Sequence, residues 1–256
     1  MAGHSKWAQI KHKKAVIDAK RGRLWTRLVR EVTVSARLGG GDPEGNARLR
    51  SAIHDARAAN VPNDTIDRAI QKGAGELEGE SYEEVAYEGY ALGGVAVLVE
   101  AMTDNRNRTV AELRHLFSKN GGNLGESGCV AWMFDRRGLF VIDRSALDEE
   151  AVMELALELG VDDLSIEDDS YELHTSVEDY ARVREALEER GVPLEVAQLA
   201  MIPQNWITAG DPGQEARALR LIEAIEEHDD VQNVWTNLDT SEAVEAGDGV
   251  LAAQAS

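Results

Sequence analysis

The sequence predicts an α+β protein of several domains, and three observations lead to this fold class. The length of 256 residues favours about two domains. Apolar residues recur at helical spacing through the first 75 residues. After that segment, short β-branched runs alternate with amphipathic helical patterns. With 43% hydrophobic and 29% charged residues, the chain has the composition of a folded protein.

Residues 1–75 predict a three-helix bundle. The first apolar stripe contains Trp25, Leu28, Val29, Val32 and Ala36, which recur at steps of three and four. Breaks that contain glycine or proline separate this stripe from two shorter ones. These are formed by Leu49, Ile53 and Ala56, and then by Ile66, Ala69 and Ile70. Three helices with short connections pack as a small bundle.

Residues 76–135 predict the first part of an α+β domain. Residues 94–102 form an apolar, β-branched run typical of a buried strand. Residues 109–118 have helical spacing, and residues 129–134 favour another strand. A further helix and strand follow Pro203 but cannot form a domain alone. We therefore predict that residues 204–240 complete this domain.

Residues 136–203 predict a ferredoxin-like domain inserted into the first one. The predicted order is β-α-β-β-α-β, which is the ferredoxin-like pattern. Its elements are residues 139–142, 148–159, 164–167, 171–174, 177–187 and 196–202. Residues 241–256 are small, polar and acidic, and predict a disordered tail.

The net charge of −20 is distributed very unevenly along the chain. Residues 1–72 contain 15 Lys and Arg against 7 Asp and Glu, whereas the remaining residues contain 12 against 40. Residues 1–30, which we call the basic arm, hold nine bases and one acid, Asp18. A basic segment joined to an acidic body favours binding to a polyanion. The alternative is a solvated basic helix that has no partner.

Several functional classes find no support in the sequence. No segment is long and apolar enough to span a membrane, and the N-terminus lacks the apolar core of a signal peptide. Cys129 is the single cysteine, so a disulfide framework and a multi-cysteine zinc site are excluded. Nucleotide-binding and hydrolase motifs are missing. We therefore expect a cytoplasmic protein that is not an enzyme, with no cofactor, small-molecule substrate or membrane partner.

Three segments carry a resemblance to a known family over residues 1 to about 240. They are residues 1–14, which begin MAGHSKW, residues 40–73, and residues 87–125, which include TDNRNRT at 103–109. Three long matches in the same order make chance agreement negligible. The chain resembles the YebC/PmpR family of transcriptional regulators. One departure is Leu92, where the family usually has a proline.

The resemblance implies a fold and a choice between two functions. The family has three domains: a helical bundle, an α+β domain and a ferredoxin-like domain inserted into it. Its description implies a transcriptional regulator that binds DNA. The family is also related to the mitochondrial translational activator of cytochrome c oxidase subunit I. That relationship implies instead a translation factor that associates with RNA or the ribosome and assists elongation.

The basic arm supplies the main candidate nucleic-acid contacts. Its lysines and arginines could each bind a phosphate, and Trp7 offers a stacking face. Phosphate contacts give affinity but carry no sequence information, and we identify no recognition helix in the arm. The candidate residues are Lys6, Trp7, Lys11, His12, Lys13, Lys14, Lys20, Arg21, Arg23 and Arg27.

A second candidate contact is the polar loop Asp104, Asn105, Arg106, Asn107 and Arg108. It joins a predicted strand to a predicted helix, so Asp104 and Asn105 can cap that helix. Capping does not explain the two arginines, because cations are disfavoured at a helix N-terminus. Bases and free backbone N–H groups at this position would suit a phosphate or a carboxylate.

A metal-dependent nuclease is the remote alternative. The carboxylates of Glu88, Glu100 and Asp104 could be grouped as metal ligands, but their spacing does not match a two-metal site. His4 and His12 lie eight residues apart on the arm and make a poor metal cage. We therefore predict neither a metal site nor catalytic residues.

Overall fold

The computed structural model of the chain describes residues 18–78 and 81–240. In these residues the helices and strands follow the order α1 Asp18–Gly39, α2 Ala47–Ala58, α3 Asn63–Gly73, β1 Glu83–Tyr90, β2 Ala96–Thr103, α4 Arg106–Lys119, β3 Asn123–Leu124, β4 Phe134–Asp143, α5 Glu149–Leu159, β5 Asp163–Ile166, β6 Ser170–Thr175, α6 Tyr180–Glu189, β7 Leu194–Pro203, α7 Pro212–Glu226 and β8 Val231–Thr236. The α+β fold class is confirmed. Residues 1–17 and the predicted tail at 241–256 lie outside the described residues.

Helices α1, α2 and α3 form the bundle that the apolar stripes predict. Val32, Leu49 and Ile66 are almost fully buried in its core. A Cβ atom on Gly73 would lie only 2.2 Å from the Thr33 carbonyl oxygen, so the end of α3 packs directly on α1. Trp25 is half-buried against this core and donates its indole N–H to the Ala59 carbonyl at 2.9 Å. The structure therefore places Trp25 in the packing of the bundle.

A buried amide joins the end of α1 to the start of α2. The Asn46 side chain accepts a hydrogen bond from the Leu49 N–H at 3.1 Å, as an N-cap residue does. Its amide nitrogen donates to the carbonyls of Ser35 and Gly40, at 2.8 and 2.9 Å. The same side chain thus satisfies groups at both helix ends, which stabilises the turn between them.

The first sheet has four antiparallel strands in the order β3-β1-β2-β8. Strand β8, near the end of the described chain, pairs with β2, so residues far apart in sequence share one sheet. Helices α4 and α7 pack on its core through apolar side chains such as Phe117 and Leu221. Pairing of β8 with β2 agrees with the predicted discontinuous domain, whose boundaries stay a prediction.

The second sheet has the strand order β5-β6-β4-β7, again antiparallel. Together with α5 and α6, its connectivity is the ferredoxin-like order that the sequence predicts. Strand β4 is buried on both faces. Phe140 and Ile142 pack under α5 and α6, whereas Leu139 and Val141 belong to the core of the first sheet. Alternation along a strand explains how one strand serves both cores.

Three strand assignments differ from the sequence-based prediction, one of them the two-residue strand β3, which was not predicted. Strand β1 was missed, because Glu83, Glu84 and Ala86 are exposed and only part of one face is buried. Residues 129–134 were predicted as a strand, and this prediction is wrong. There the chain makes a 3₁₀ turn at Ala131–Met133, and β4 begins only at Phe134. Apolar residues in a short run do not distinguish a buried strand from a buried turn.

None of the helices in residues 18–78 and 81–240 combines the length and the apolar character required to cross a membrane.

Candidate nucleic-acid interface

The structure describes only part of the predicted basic arm. Residues 1–17 lie outside the described residues, and with them Lys6, Trp7, Lys11, His12, Lys13 and Lys14. Lys20 and Arg21 lie on the first turn of α1, where the structure describes the backbone alone. Arg23 and Arg27 are described with their side chains, as is the nearby Arg30.

Three arginines of α1 contact the acidic end of α7 and the residues that follow it. The Arg27 guanidinium donates to the Glu226 carbonyl oxygen, and that of Arg30 donates to the Asp229 carbonyl. Arg23 lies 3.9 Å from the Glu227 carboxylate, at the longer end of ion-pair distances. Cations are favoured at a helix C-terminus, where unpaired carbonyls carry partial negative charge. The basic arm therefore ends in a docked segment.

Burial is the main influence on the pKa of Arg27. It lowers the pKa of the Arg27 guanidinium, and the neighbouring Arg23 and Arg30 act in the same direction, whereas Glu226 raises it. The pKa of an arginine is so high that the guanidinium stays protonated even where burial lowers it. The consequence is instead that Arg27 is partly removed from solvent, so its charge is less accessible to a phosphate than that of an exposed lysine.

Asp230 is the buried acid on which this docking converges. Its side chain is only 2% exposed, and one carboxylate oxygen lies 3.3 Å from the Arg30 guanidinium. The other oxygen accepts hydrogen bonds from Arg108 at 2.7 Å and from the Thr109 hydroxyl at 2.8 Å. Burial raises the pKa of Asp230, but the hydrogen bonds from Arg108 and Thr109 outweigh it, so the pKa lies below its usual value.

The predicted contact loop lies at the start of α4. Asn105 is its N-cap residue and accepts a hydrogen bond from the Arg108 N–H at 3.1 Å. The Arg108 guanidinium donates to Asp104 at 2.9 Å as well as to Asp230. Arg108 therefore has a structural role that the sequence did not suggest. Capping and ion pairing together account for three of the five loop residues.

All five residues of this loop are exposed, and Arg106 and Asn107 differ from the rest because they neither cap α4 nor take part in the ion pairs of Arg108. The Arg106 side chain is 65% exposed, and its contact with Glu83 is long, at 3.8 Å. Asn107 is exposed as well. An exposed arginine beside a helix N-terminus can bind an anion without breaking a buried contact. The loop thus divides into three residues that cap α4 or pair within the body, and two residues that remain available to a ligand.

Asp230 and Glu226 are the site residues that sequence reasoning missed. Arg30 and Arg108 both reach Asp230, so the basic arm and the contact loop meet at one carboxylate. The available signal was charge: acids follow α7 in a run, while the arm is basic. Charge alone could not show that these two segments contact each other.

The three carboxylates of the nuclease alternative are engaged separately. Glu88 accepts hydrogen bonds from the backbone N–H groups of three residues at 128, 130 and 131, and Glu100 accepts from Asn233 and Trp235. Asp104 pairs with Arg108. Within the described residues, no group of three or more His, Cys, Asp or Glu side chains could hold a metal ion.

Fold and surface define a multidomain α+β protein whose basic N-terminal helix docks on an acidic body. The model of the TACO1/YebC protein N-terminal domain matches residues 5–76, and that of the TACO1/YebC second and third domain matches residues 82–238. The chain belongs to the TACO1/YebC family, which confirms the resemblance seen in the sequence.

Relatives of similar length support this assignment. A protein of Pelotomaculum thermopropionicum is 58% identical over 240 residues, which cover 93% of this chain and 98% of the relative. One of Natranaerobius thermophilus is 54% identical over 248 residues, covering 95% and 98%. Both are described as "Probable transcriptional regulatory protein". The crystal structure of a conserved hypothetical protein of Aquifex aeolicus matches with a TM-score of 0.86 and 50% identity, over 93% of this chain and 98% of that one.

Proposed function

We propose that this protein is a transcriptional regulator that binds DNA through its basic arm. The observation that carries the proposal is the concentration of nine bases against one acid in residues 1–30 of a chain whose net charge is −20. Such a segment is attracted to phosphates, while the acidic body resists collapse onto the same polyanion. The description of the curated relatives supports a regulatory role.

The proposed contacts fall into two groups. Lys6, Lys11, Lys13, Lys14, Lys20 and Arg21 bind phosphates, with Trp7 and His12 between them. Arg23 and Arg27 join this interface by exchanging their contacts with α7 for phosphates. On the body, Arg106 is the main contact at the 104–108 loop, because it is 65% exposed and does not bind Asp230, as Arg108 does.

A translation factor that binds RNA or the ribosome is the second candidate function. The observation in its favour is the orientation of α1. Its arginines at 23, 27 and 30 face the body, so the described part of this helix does not offer them to a DNA major groove. Recognition through shape and phosphates suits structured RNA. In both candidates the protein is cytoplasmic and acts by binding, without catalysis or a cofactor.

The experiment compares the full-length protein with two variants that each lose four positive charges. One replaces Lys6, Lys11, Lys13 and Lys14 by Gln. The matched control replaces four exposed bases of the body by Gln: Lys119, Arg144, Arg190 and Arg220. Binding to a DNA duplex and to a structured RNA of equal length is measured by fluorescence anisotropy at several salt concentrations.

The arm variant should lose roughly 3 to 4 units of the slope of log affinity against log salt, since each phosphate contact contributes about 0.9. The control should lose much less. Tighter binding to the duplex supports the DNA regulator, and tighter binding to the RNA supports the translation factor. Equal slopes for the arm variant and the wild type would exclude the arm as the binding site.

A further inference from the structure

Trp132 is an exposed aromatic residue on the acidic body. It lies in the 3₁₀ turn just before β4, and 66% of it is exposed to solvent. Tryptophan is usually buried because of its large apolar surface. Among the described residues, no other strongly exposed large apolar residue lies between positions 125 and 137. Trp132 is therefore the one large exposed apolar side chain of this described segment.

The segment that carries Trp132 is held rigidly. The buried Glu88 carboxylate accepts hydrogen bonds from the N–H groups of Gly128, Val130 and Ala131 at 2.6 to 2.7 Å. The Tyr90 hydroxyl donates to the Cys129 carbonyl at 2.9 Å. Several buried contacts thus fix a short turn whose exposed residue is a tryptophan. Such preorganisation lowers the entropy that binding would otherwise cost.

The indole N–H of Trp132 already has a partner within the turn. It donates to the Cys129 carbonyl oxygen at 3.2 Å. The indole has no other hydrogen-bond donor and no acceptor. What the exposed ring offers to a ligand is therefore its π surface, which suits stacking.

Two arginines that pair with no carboxylate of residues 18–78 and 81–240 follow Trp132 in the chain. Residues 81–240 contain twelve Lys and Arg. Arg106, Arg108, Arg144, Arg182, Arg184 and Arg190 pair with carboxylates. In the part of the chain that the structure describes, no ion pair involves the other six, which are Arg114, Lys119, Arg136, Arg137, Arg217 and Arg220.

Arg136 and Arg137 follow Trp132 closely in the sequence, at the start of β4. Extended chain spans at most about 3.6 Å per residue, so the Cα atoms of Arg136 and Arg137, four and five residues after Trp132, lie at most about 14 and about 18 Å from that of Trp132. Both long side chains are within reach of a nucleotide and its neighbours on the indole. Their carboxylate neighbour Asp135 accepts a hydrogen bond from the Gln204 side chain at 3.1 Å. This part of a very acidic body thus combines a fixed aromatic ring with two cations that no described carboxylate neutralises.

We propose that Trp132, Arg136 and Arg137 form a binding site for unpaired nucleotides of a single-stranded nucleic acid. A base stacks on the indole. Because neighbouring residues of a strand point to opposite faces, the guanidinium groups of Arg136 and Arg137 bind phosphates on opposite sides of the start of β4. Stacking with nearby cations is the usual basis of single-strand binding. An apolar protein partner would need further exposed apolar residues around Trp132. The site rests on the proposed nucleic-acid binding, and it is separate from the basic arm.

The test uses full-length protein with Trp132→Ala, Trp132→Phe and the double variant Arg136→Gln, Arg137→Gln. Leu157→Ala is the matched control, because Leu157 is also a large exposed apolar residue, on α5. The probes are oligouridylate, oligodeoxythymidylate and a DNA duplex of equal length. Affinities are measured by anisotropy, and indole contact by quenching of tryptophan fluorescence.

Trp132→Ala should weaken binding to the single strands by about 5-fold to about 100-fold and leave duplex binding unchanged. The phenylalanine variant should retain most of the affinity but lose part of the quenching. The arginine variant should weaken single-strand binding and reduce its salt dependence. The control should bind as the wild type does.

Single-strand affinity that is equal in the wild type and Trp132→Ala would overturn this site, and arm-dependent binding in the same assay would leave the proposed function intact. If the wild type binds none of the probes, both proposals fail. If Trp132→Ala no longer bound a protein that the wild type binds, while its nucleic-acid affinity stayed unchanged, the ring would belong to a protein interface. That result would also overturn the proposal.

Discussion

Arg30 on α1 and Arg108 on α4 contact opposite oxygens of one buried carboxylate, that of Asp230, at 3.3 and 2.7 Å. The two hydroxyls of Thr103 and Thr109 also donate to this carboxylate. A buried charge is tolerated when it is paired and hydrogen-bonded in this way. The same carboxylate therefore joins the helical bundle to the first sheet. It also holds the Arg108 side chain in place, which gives Arg108 a structural role.

The two arginines of the 104–108 loop should respond differently to replacement by glutamine. Arg108→Gln should lower the free energy of unfolding by about 1–2 kcal/mol, since Asp230 loses a charged donor in a half-exposed position. Arg106→Gln should stay within about 0.5 kcal/mol of the wild type, because its ion pair is long and exposed. Urea denaturation at neutral pH measures both. Equal losses for the two variants would contradict the division of the loop.

Docking of α1 on the end of α7 should protect the connector between the bundle and the first sheet. Residues 74–78 are exposed and follow α3 directly. The double variant Arg27→Ala, Arg30→Ala removes two contacts to the Glu226 and Asp229 carbonyls. We expect proteases to cleave this connector several times faster in the variant, because local opening becomes more frequent.

Arg57→Ala is the control for this measurement. Arg57 is exposed on α2, and its replacement removes a positive charge of the same kind without affecting the contacts with α7. Cleavage at the same rate in the double variant and the control would show that the docking contacts do not hold the two parts together.

Local sequence patterns predicted most of the fold, because an apolar stripe or run indicates by itself which residues of a helix or strand are buried. The run at 139–142 predicts a buried strand, and Phe140 and Leu139 indeed fill two different cores. Strand β1 was missed because its alternation is weak, with Glu83, Glu84 and Ala86 exposed. In such a strand the pairing with β2 and β3 provides the stability, and that pairing is not visible in a local window.

The candidate site was less predictable, because it depends on contacts between distant segments. The sequence identified the basic arm and the 104–108 loop from charge and capping. It could not show that Asp230 lies between them, nor that Glu88 fixes the turn at 128–131. A buried ion pair is a long-range relationship, and no spacing rule relates its members.

The Glu88 carboxylate should contribute to stability in a pH-dependent way. Burial raises its pKa, but three backbone N–H donors outweigh burial, so its pKa lies below the usual 4.5. A group with a lowered pKa stabilises the fold fully above the unfolded-state pKa, and this contribution disappears as the pH falls through the folded-state value. We therefore expect the wild type to lose this stabilisation below about pH 4.5.

Glu88→Gln should lower the free energy of unfolding by about 1.5–3 kcal/mol at pH 7, because a neutral amide accepts these hydrogen bonds less well. The difference from the wild type should then shrink as the pH falls below 4.5. Glu126→Gln, an exposed acid in the same segment, is the control and should show neither effect. Thermal unfolding from pH 3 to pH 7 provides the comparison, and a constant difference across that range would contradict the assignment.

The pairing of β8 with β2 makes the predicted discontinuous domain testable by truncation. Residues 76–240 should fold alone, because this fragment keeps both sheets and both of their cores. Residues 76–203 should not, because they lack α7 and β8. Trp235 and Leu221, each almost fully buried, are then missing from the first core. Glu100 also loses its hydrogen bonds from Asn233 and Trp235, at 3.1 and 3.0 Å. The free energy that this buried apolar surface contributes exceeds the usual free energy of unfolding of a domain.

Heteronuclear NMR spectra and thermal unfolding distinguish these outcomes. The 76–240 fragment should give dispersed amide signals and one or more cooperative transitions. The 76–203 fragment should give poorly dispersed signals for residues of β1, β2 and α4, even where the ferredoxin-like module keeps its own. A fragment of residues 1–203 provides the matched control, since it lacks the same elements as the 76–203 fragment but keeps the bundle. A well-dispersed and cooperative 76–203 fragment would show that the first sheet is stable without β8, and the discontinuous domain would have to be abandoned.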